Sequence, residues 1–309
     1  MQNPSFVAVD IGKDSLHIQT SSLAFETTSG PAGLRKLLAY LRKEEDPLVV
    51  CEATGGYERP LLEALAKAKI AYCLINPARL RAFAVSEGIK AKTDRIDARV
   101  ILRFAQEKKL TPSLPLSPAQ RLLADLLDRR SHLSDQIARE KNRLQKASKA
   151  TATFIRRMIA FAQRQLQTLD RAIRLHLSKQ PQLSAQAREL ISVQGVGEVT
   201  AWTILAYLPE IATLGRNQLV ALAGVAPFNR DSCQTNRKRR ILGGRAKVRR
   251  CLYMAAHTAA THNPVIRPYV QGLLARGKPY KCAIVAAMRK LLIHLQSKLK
   301  NLTNFPIAA

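Results

Sequence analysis

The stretch FVAVD (residues 6–10) decides the fold of the first part of this chain, because an apolar run of strand length ends there on a carboxylate. Such a short, continuous apolar run is typical of a strand that is buried on both faces. A second run, LVVC (residues 48–51), ends in the same way on Glu52. Strand propensity disfavours acidic residues, so an acid at the end of each run indicates a functional requirement.

A third acidic motif, AKTDRIDA (residues 91–98), places Asp94 and Asp97 three residues apart where a helical pattern begins, so that they share one helix face. Carboxylates gathered around one point repel each other unless a cation lies between them. Hard oxygen ligands favour Mg²⁺ or Mn²⁺, and such a site suits phosphodiester chemistry. We therefore predict a metal-dependent nuclease site from Asp10, Glu52, Asp94 and Asp97. The alternative is four solvated acids on an ordinary α/β domain.

The segment 1–112 is predicted to contain three strands, a helix, a strand, a helix, a strand and a final helical region. This order resembles the RNase H fold in its RuvC-like version. In that fold the first acid lies on the first strand, the second acid ends the fourth strand, and the last acids lie on a late helix. Asp10, Glu52 and the pair Asp94 and Asp97 fall at those places, so we predict a RuvC-like domain here.

The positive charge of the chain is concentrated after this segment. The net charge is +28, with a pI near 10.6. Residues 1–112 carry 17 Lys and Arg against 13 Asp and Glu, whereas residues 113–309 carry 33 against 9. A polycation of this kind attracts phosphate backbones, in a manner that depends on salt. Nucleic acid is the partner that we predict, and an anionic membrane surface is the alternative.

Residues 113–182 are predicted to form a helical hairpin or coiled coil. No Gly or Pro occurs in residues 119–180, and apolar residues from Ile155 to Ile173 recur at alternating spacings of four and three. Such a seam favours self-association or a projecting arm. Packing within one chain is the alternative interpretation.

Residues 183–309 are predicted to form a mostly helical domain. ISVQGVGEVTAWTILAYL (residues 191–208) resembles a helix-hairpin-helix, in which Gly195 and Gly197 would let backbone N–H groups approach a phosphate. An ordinary helical turn is the alternative. Further along, eight basic residues in fourteen positions suggest direct phosphate contacts. They are Arg237, Lys238, Arg239, Arg240, Arg245, Lys247, Arg249 and Arg250.

Ser232 lies just before this basic run in a polar stretch. A serine hydroxyl is a poor nucleophile alone, but nearby cations and a metal ion can stabilise its alkoxide. Spacing alone favours an ordinary loop serine.

Taken together, six stretches resemble the DEDD-type insertion-sequence transposases, the family of bridge-RNA-guided recombinases that also includes the Piv-type DNA invertases. They run in family order from one end of the chain to the other. They are VAVDIGK (7–13), CEATGGY (51–57), KTDRIDARV (92–100), QGVGEVTA (194–201), GVAPFNRDS (224–232) and GGRAKVRRCLYMAA (243–256). The chain departs from the family at Cys233, where glycine is common.

The resemblance implies a RuvC-like domain (1–112), a coiled-coil arm (113–182) and a C-terminal transposase domain (183–309). It implies an acidic tetrad at Asp10, Glu52, Asp94 and Asp97 and a nucleophile at Ser232. The implied reaction is cutting and rejoining of donor and target DNA through a phosphoserine link. A structured RNA encoded by the insertion element would select the donor and target sequences. The active assembly would be a dimer, or a tetramer on DNA.

Two rival functions remain at this point. In a RuvC-like junction resolvase or nuclease the tetrad would hydrolyse DNA with water and Ser232 would be inert. A catalytically inactive nucleic-acid-binding derivative is the other possibility. Tyr253, which follows the basic run, is a rival nucleophile, although LYMAA (252–256) is more typical of an apolar helix. We also expect no membrane segment and no secretory signal, and the resemblance implies a prokaryotic cytoplasmic, nucleoid-associated protein.

Overall fold

The computed structural model describes residues 4–89, 94–228 and 240–304, without the side chains of residues 94–96, 303 and 304. The chain divides into two compact units, the first ending at Pro115 and the second beginning at Leu116. The sequence-based division into three domains stays a prediction.

The first unit is built on a five-stranded mixed sheet in the order β3-β2-β1-β4-β5. β1 pairs antiparallel with β2 and parallel with β4. The strands are β1 Ser5–Ile11, β2 Ser15–Gln19, β3 Ala24–Thr28, β4 Pro47–Glu52 and β5 Ala71–Ile75. The helices are α1 Pro31–Leu41, α2 Arg59–Lys67, α3 Pro77–Ser86 and α4 Asp94–Glu107.

The apolar runs form the central strands because both faces of the sheet are covered. Val7 and Val9 of β1 pack on one face against residues of α1 and α2. Ala8 and Val50 pack on the other face against residues of α3 and α4. Side chains alternate along a strand, so two buried faces require a continuous apolar run. The predicted mixed α/β order is confirmed.

The second unit is mostly helical. Its helices are α5 Pro118–Leu144, α6 Lys149–Ser178, α7 Pro181–Ile191, α8 Glu198–Tyr207, α9 Arg216–Leu222, α10 Ala246–His262, α11 Ile266–Ala275 and α12 Tyr280–Asn304, with a 3₁₀ helix at Pro209–Ala212. A two-stranded ladder joins β6 Pro227–Phe228 to β7 Arg240–Ile241. α8 is buried from Thr200 to Ala206, as expected of a helix that is apolar on all sides. No helix in the described part of the chain is long and apolar enough to cross a membrane.

α5 and α6 form an antiparallel hairpin within one chain. Leu133 and Ile137 of α5 share a buried cluster with Ile159 and Ala162 of α6. Ser117 starts α5 with a capping box, in which its hydroxyl accepts from the backbone of the third helical residue and that residue's side chain accepts in return. The apolar seam of α6 is therefore packed against α5. The interpretation as packing within one chain holds for this seam, and a contact between subunits would need another face.

Candidate active site and nucleic-acid interface

Asp10 and Glu52 lie side by side at one edge of the first sheet. In the parallel pairing of β1 with β4, Val9 is opposite Cys51, and the two acids are the next residues on their strands. The carboxyl ends of parallel strands lie at the same edge of a sheet, and ligand sites commonly form outside that edge.

Asp97 belongs to the helix that covers the same face. Ala8 and Val50 contact the cluster that contains Ile101 of α4, and Asp10 and Glu52 share their face because each is two residues further along its strand. Asp97 is one turn before Ile101, which is fully buried, so both lie on the sheet-facing side of α4. The structure thus brings three of the four predicted acids toward one region.

The fourth acid, Asp94, is the first residue of α4, and its side chain lies outside the described part of the structure. Among the described residues, no three Asp, Glu, His or Cys side chains form a group that could hold a metal ion. The donor chemistry nevertheless fits a hard cation, since Asp10, Glu52 and Asp97 offer only carboxylate oxygens.

Glu58 holds the loop that follows Glu52, and sequence reasoning missed this residue. Its carboxylate accepts hydrogen bonds from the backbone N–H of Thr54 (3.1 Å), from the Thr54 hydroxyl (2.8 Å) and from the N–H of Gly56 (2.8 Å). Burial alone would raise the pKa of Glu58, but its own backbone N–H together with these donors lowers the pKa below its ordinary value. The signal in the sequence was Thr-Gly-Gly followed closely by an acid, the pattern of a turn closed by a side chain.

Ser232, Arg237, Lys238 and Arg239 lie outside the described residues, as does Cys233. The two described segments that flank these residues pair with each other in an antiparallel ladder, in which Pro227 is opposite Ile241 and Phe228 is opposite Arg240.

Two glycines beside this ladder are required by close backbone packing. Gly224 and Gly244 both have positive φ, at 71° and 70°. A Cβ on Gly224 would lie 2.3 Å from the carbonyl oxygen of Gly243, and a Cβ on Gly244 would lie 2.2 Å from the nitrogen of Gly224. The backbone N–H of Arg245 then donates to the carbonyl of Leu222 at 2.8 Å. These contacts fix where α10 begins.

Arg245 is paired with a carboxylate inside the chain. Its guanidinium donates to both carboxylate oxygens of Glu210, at 2.6 and 2.8 Å, and to the carbonyl of Tyr207 at 2.9 Å. Burial alone would raise the pKa of Glu210, but the hydrogen bonds and charge of Arg245 lower it below its ordinary value. Arg245, which the sequence suggested as a phosphate-contacting residue, is therefore already paired with Glu210.

Lys247 is engaged in the same way. Its ammonium donates to Asp128 of α5 and lies 4.4 Å from the centre of the Tyr207 ring. The Tyr207 hydroxyl donates to Asp128 and also to the carbonyl of Ala124. This network joins α5, α8 and the start of α10.

The other described cations of the basic run differ in exposure. Arg249 donates to the carbonyl of Gly243. Arg240 is exposed, and the side chain of Arg250 is 69% exposed, with Asp135 at 3.7 Å. Arg240 and Arg250 are thus the described members best placed to meet a phosphate in solution.

Close packing against α10 requires a glycine at position 195. Gly195 lies in the turn between α7 and α8 with a φ of 98°, and a Cβ there would lie 2.7 Å from Ala259 of α10. The buried Asn263 strengthens this contact, because its amide donates to the carbonyl of Gln194 at 2.9 Å. A Cβ on Gly197 would meet nothing within 4 Å. The helix-hairpin-helix role of both glycines stays a prediction.

Comparison with known proteins identifies the class of enzyme. A family model described as "Transposase", of the DEDD type, matches residues 7–151, and a model described as "Transposase IS116/IS110/IS902 family" matches residues 187–271. The first match contains the four predicted acids and the second contains Ser232. The chain is a DNA transposase or recombinase. It belongs to the IS116/IS110/IS902 family of transposases.

Its curated relatives include two invertases. The "Pilin gene-inverting protein" of Moraxella lacunata and that of Moraxella bovis are each 27% identical to this chain over 248 residues, which is 79% of this chain and 77% of the relative. Among solved structures, T. thermophilus RuvC in complex with a Holliday junction substrate is similar at 14% identity and a TM-score of 0.28, over 36% of this chain and all of RuvC.

We predict that Gly195→Ala destabilises the protein and Gly197→Ala does not. Alanine at position 195 would combine a strained positive φ, costing about 1–3 kcal/mol, with a clash against α10. Alanine at position 197 meets open space at an ordinary φ of −89°. Urea denaturation of both variants measures the difference. Equal stabilities would contradict the packing role of Gly195.

We predict that Glu210→Gln lowers the free energy of unfolding at pH 7 by about 1–3 kcal/mol, because Arg245 loses its charged partner in a partly buried site. The folded-state pKa of Glu210 is lowered, so the contribution is complete above its unfolded value of about 4.3 and is lost as the pH falls through the folded value. Denaturation curves from about pH 3 to pH 7 should therefore converge for wild type and variant at the acidic end.

The matched control for that experiment is Glu198→Gln. Glu198 also accepts two hydrogen bonds from one arginine, Arg174, at 2.9 and 2.7 Å, but this pair is exposed. An exposed pair contributes little to stability, because solvent and salt screen its charges. A larger loss at Glu198 than at Glu210 would show that burial does not decide the effect.

Proposed function

We propose that this transposase is an RNA-guided DNA recombinase that cuts and rejoins donor and target DNA through a phosphoserine intermediate on Ser232. The observation that carries the proposal is the parallel pairing that sets Asp10 beside Glu52 at the carboxyl ends of two strands, with Asp97 on the helix that covers the same face. The family match contains all three acids. The strand order and the places of the acids support an RNase H-like, RuvC-like first domain.

Asp10, Glu52, Asp94 and Asp97 are proposed to hold Mg²⁺ or Mn²⁺. The bound ion would polarise the scissile phosphate and stabilise the leaving oxygen. The role of the protein itself is to hold the carboxylates in place. The strand pairing positions Asp10 beside Glu52, and the packing of Ile101 positions α4 and with it Asp97. Glu58 orders the loop next to Glu52.

Ser232 is proposed to be the nucleophile. Its oxygen forms a bond to the phosphorus of the DNA strand and gives up its proton, while the bond from the phosphorus to a sugar oxygen breaks and that oxygen takes up a proton. The phosphoserine link keeps the energy of the broken bond, so a sugar hydroxyl of a second strand can attack it and restore the serine. Exposed cations such as Arg240 and Arg250 are suited to hold the phosphates.

A structured guide RNA is proposed to select donor and target. Residues 113–309 carry most of the excess positive charge, and a protein of this kind recognises RNA by its shape and backbone rather than by its sequence. The same charge would hold the two DNA duplexes.

A homodimer, and a tetramer on DNA, is proposed because two duplexes present four strands and each cut uses one serine. The internal seam of α6 is already packed against α5. Phe154, Met158 and Phe161 are exposed on another face of α6, and their spacing of four and three places them in one stripe. This stripe is the proposed subunit contact.

We predict that Asp97→Asn and Asp10→Asn abolish DNA cleavage and also remove stabilisation by metal. For wild type, Mn²⁺ at about 100 times its dissociation constant should stabilise the fold by about 2.7 kcal/mol, visible as a rise in melting temperature. Glu45→Gln, an exposed acid just before β4 at the opposite end of that strand, is the control and should respond as wild type does. Full cleavage by either Asp variant would remove that residue from the active site.

We predict that Ser232→Ala keeps the fold and DNA binding but loses strand exchange, because a covalent step has no substitute when its nucleophile is absent. Wild-type protein trapped on nicked DNA should migrate as a covalent adduct in a denaturing gel, and mass spectrometry should place the adduct on the peptide that contains Ser232.

Two further variants complete that experiment. Cys233→Gly restores the residue common in the family and should retain or raise activity. An adduct that persists in Ser232→Ala and disappears in Tyr253→Phe would assign the role to Tyr253, which is partly buried against the core of the second unit. Cleavage without any adduct would favour the hydrolytic resolvase, and no cleavage by wild type with RNA and Mg²⁺ would favour an inactive derivative.

A further inference from the structure

Three aromatic rings lie together on the surface where α10 meets the start of α12. The ring centres of Tyr253 and His257 are 4.6 Å apart, and those of His257 and Tyr280 are 5.5 Å apart. The Tyr280 hydroxyl and the Nδ1 atom of His257 are 3.0 Å apart, within hydrogen-bonding distance. We call Tyr253, His257 and Tyr280 the aromatic platform.

The platform leaves apolar surface exposed that a helical core would normally bury. Tyr280 is 50% exposed, and the neighbouring Met254 on α10 is 63% exposed. Tyr253 and His257 are partly exposed. Phe, Trp and Tyr make up only 5% of the chain, so two tyrosine rings on either side of a histidine ring at the surface are a concentrated feature. Contiguous exposed apolar surface of this kind commonly marks a binding site.

The charges around the platform select an anionic partner. No Asp or Glu occurs in the sequence after Asp231. Arg250 lies one turn before Tyr253 and Met254 on α10, and Lys278 and Lys281 flank Tyr280. All three cations are exposed, and the nearest described carboxylate to Arg250 is that of Asp135, at 3.7 Å.

We propose that the aromatic platform binds unpaired nucleotides by stacking, with Arg250, Lys278 and Lys281 meeting the adjoining phosphates. Aromatic rings beside cations are the two elements that proteins use for single-stranded nucleic acids, because every base has a π face and every nucleotide has a phosphate. A base inside a duplex is already stacked on both sides, so the platform distinguishes unpaired from paired nucleotides. This inference rests on the nucleic-acid binding in the proposed function, and needs neither the serine nor the metal.

Two substitutions of Tyr280 distinguish a purely structural role of this residue from a role in base stacking. If the contact with His257 only ties α12 to α10, the hydroxyl matters and Tyr280→Phe should behave as badly as Tyr280→Leu. If the ring stacks on a base, phenylalanine keeps the function and leucine, which has similar apolar bulk but no ring, loses it.

The test uses the full chain with single-stranded DNA and RNA oligonucleotides that carry 2-aminopurine, whose fluorescence is quenched by stacking. Tyr280→Leu should weaken single-strand binding roughly 5- to 100-fold and abolish the quenching, whereas Tyr280→Phe should stay within about twofold of wild type. Binding of a duplex of the same sequence should be unchanged in both. Comparing the DNA oligonucleotide with the RNA oligonucleotide shows which of the two nucleic acids supplies the unpaired nucleotide.

The control is Tyr269→Leu. Tyr269 lies on α11, and its ring lies 4.4 Å from the ammonium of Lys290, so it belongs to a different contact. Three results would each contradict the stacking proposal. They are loss of single-strand binding in Tyr280→Phe as well as in Tyr280→Leu, no loss in either variant, and an equal loss of duplex binding. A failure of Ser232→Ala to block strand exchange would overturn the proposed reaction and leave the platform result unaffected.

Discussion

The parallel register between β1 and β4 is the constraint on which the proposed active site depends. It places Asp10 beside Glu52, because Val9 is opposite Cys51. Side chains alternate between the faces of a strand, so a shift of one residue would turn one acid toward the opposite core. The apolar residues prevent that shift, since both faces of these strands are buried against helices. Stability of the sheet and placement of the acids therefore come from the same residues.

In the second unit, the start of α10 has a comparable role. Gly224 and Gly244 let two backbone segments approach each other, and Arg245 is held by Glu210. Partly buried ion pairs contribute little net stability when compared with apolar packing, but breaking one is costly. The pairs are thus suited to fixing one arrangement of the chain at the ladder of β6 and β7, which flanks the segment that contains Ser232.

The basic run shows why charge and contact have to be separated. All its cations contribute to the long-range field that attracts nucleic acid. Direct contact requires exposure, and the structure divides the described members. Arg245 and Lys247 are hydrogen-bonded to carboxylates within the chain. Arg240 is exposed, and Arg250, whose side chain is 69% exposed, lies 3.7 Å from the exposed Asp135. Arg250 is also the cation next to the aromatic platform, so one side chain links the predicted phosphate contacts to the proposed stacking surface.

The sequence by itself determined the order of strands and helices in the first unit, the acids at the strand ends, the helical seam of α6 and the excess of positive charge. These features depend on local periodicity and composition. Only the tertiary structure decided that α5 covers the seam, that Gly195 is required by Ala259, that Glu58 orders the loop after Glu52 and that Tyr280 meets His257. The physical reason is that each of these contacts joins side chains or backbone whose positions are set by packing. A local pattern of residue types carries no information on which distant residue will lie opposite.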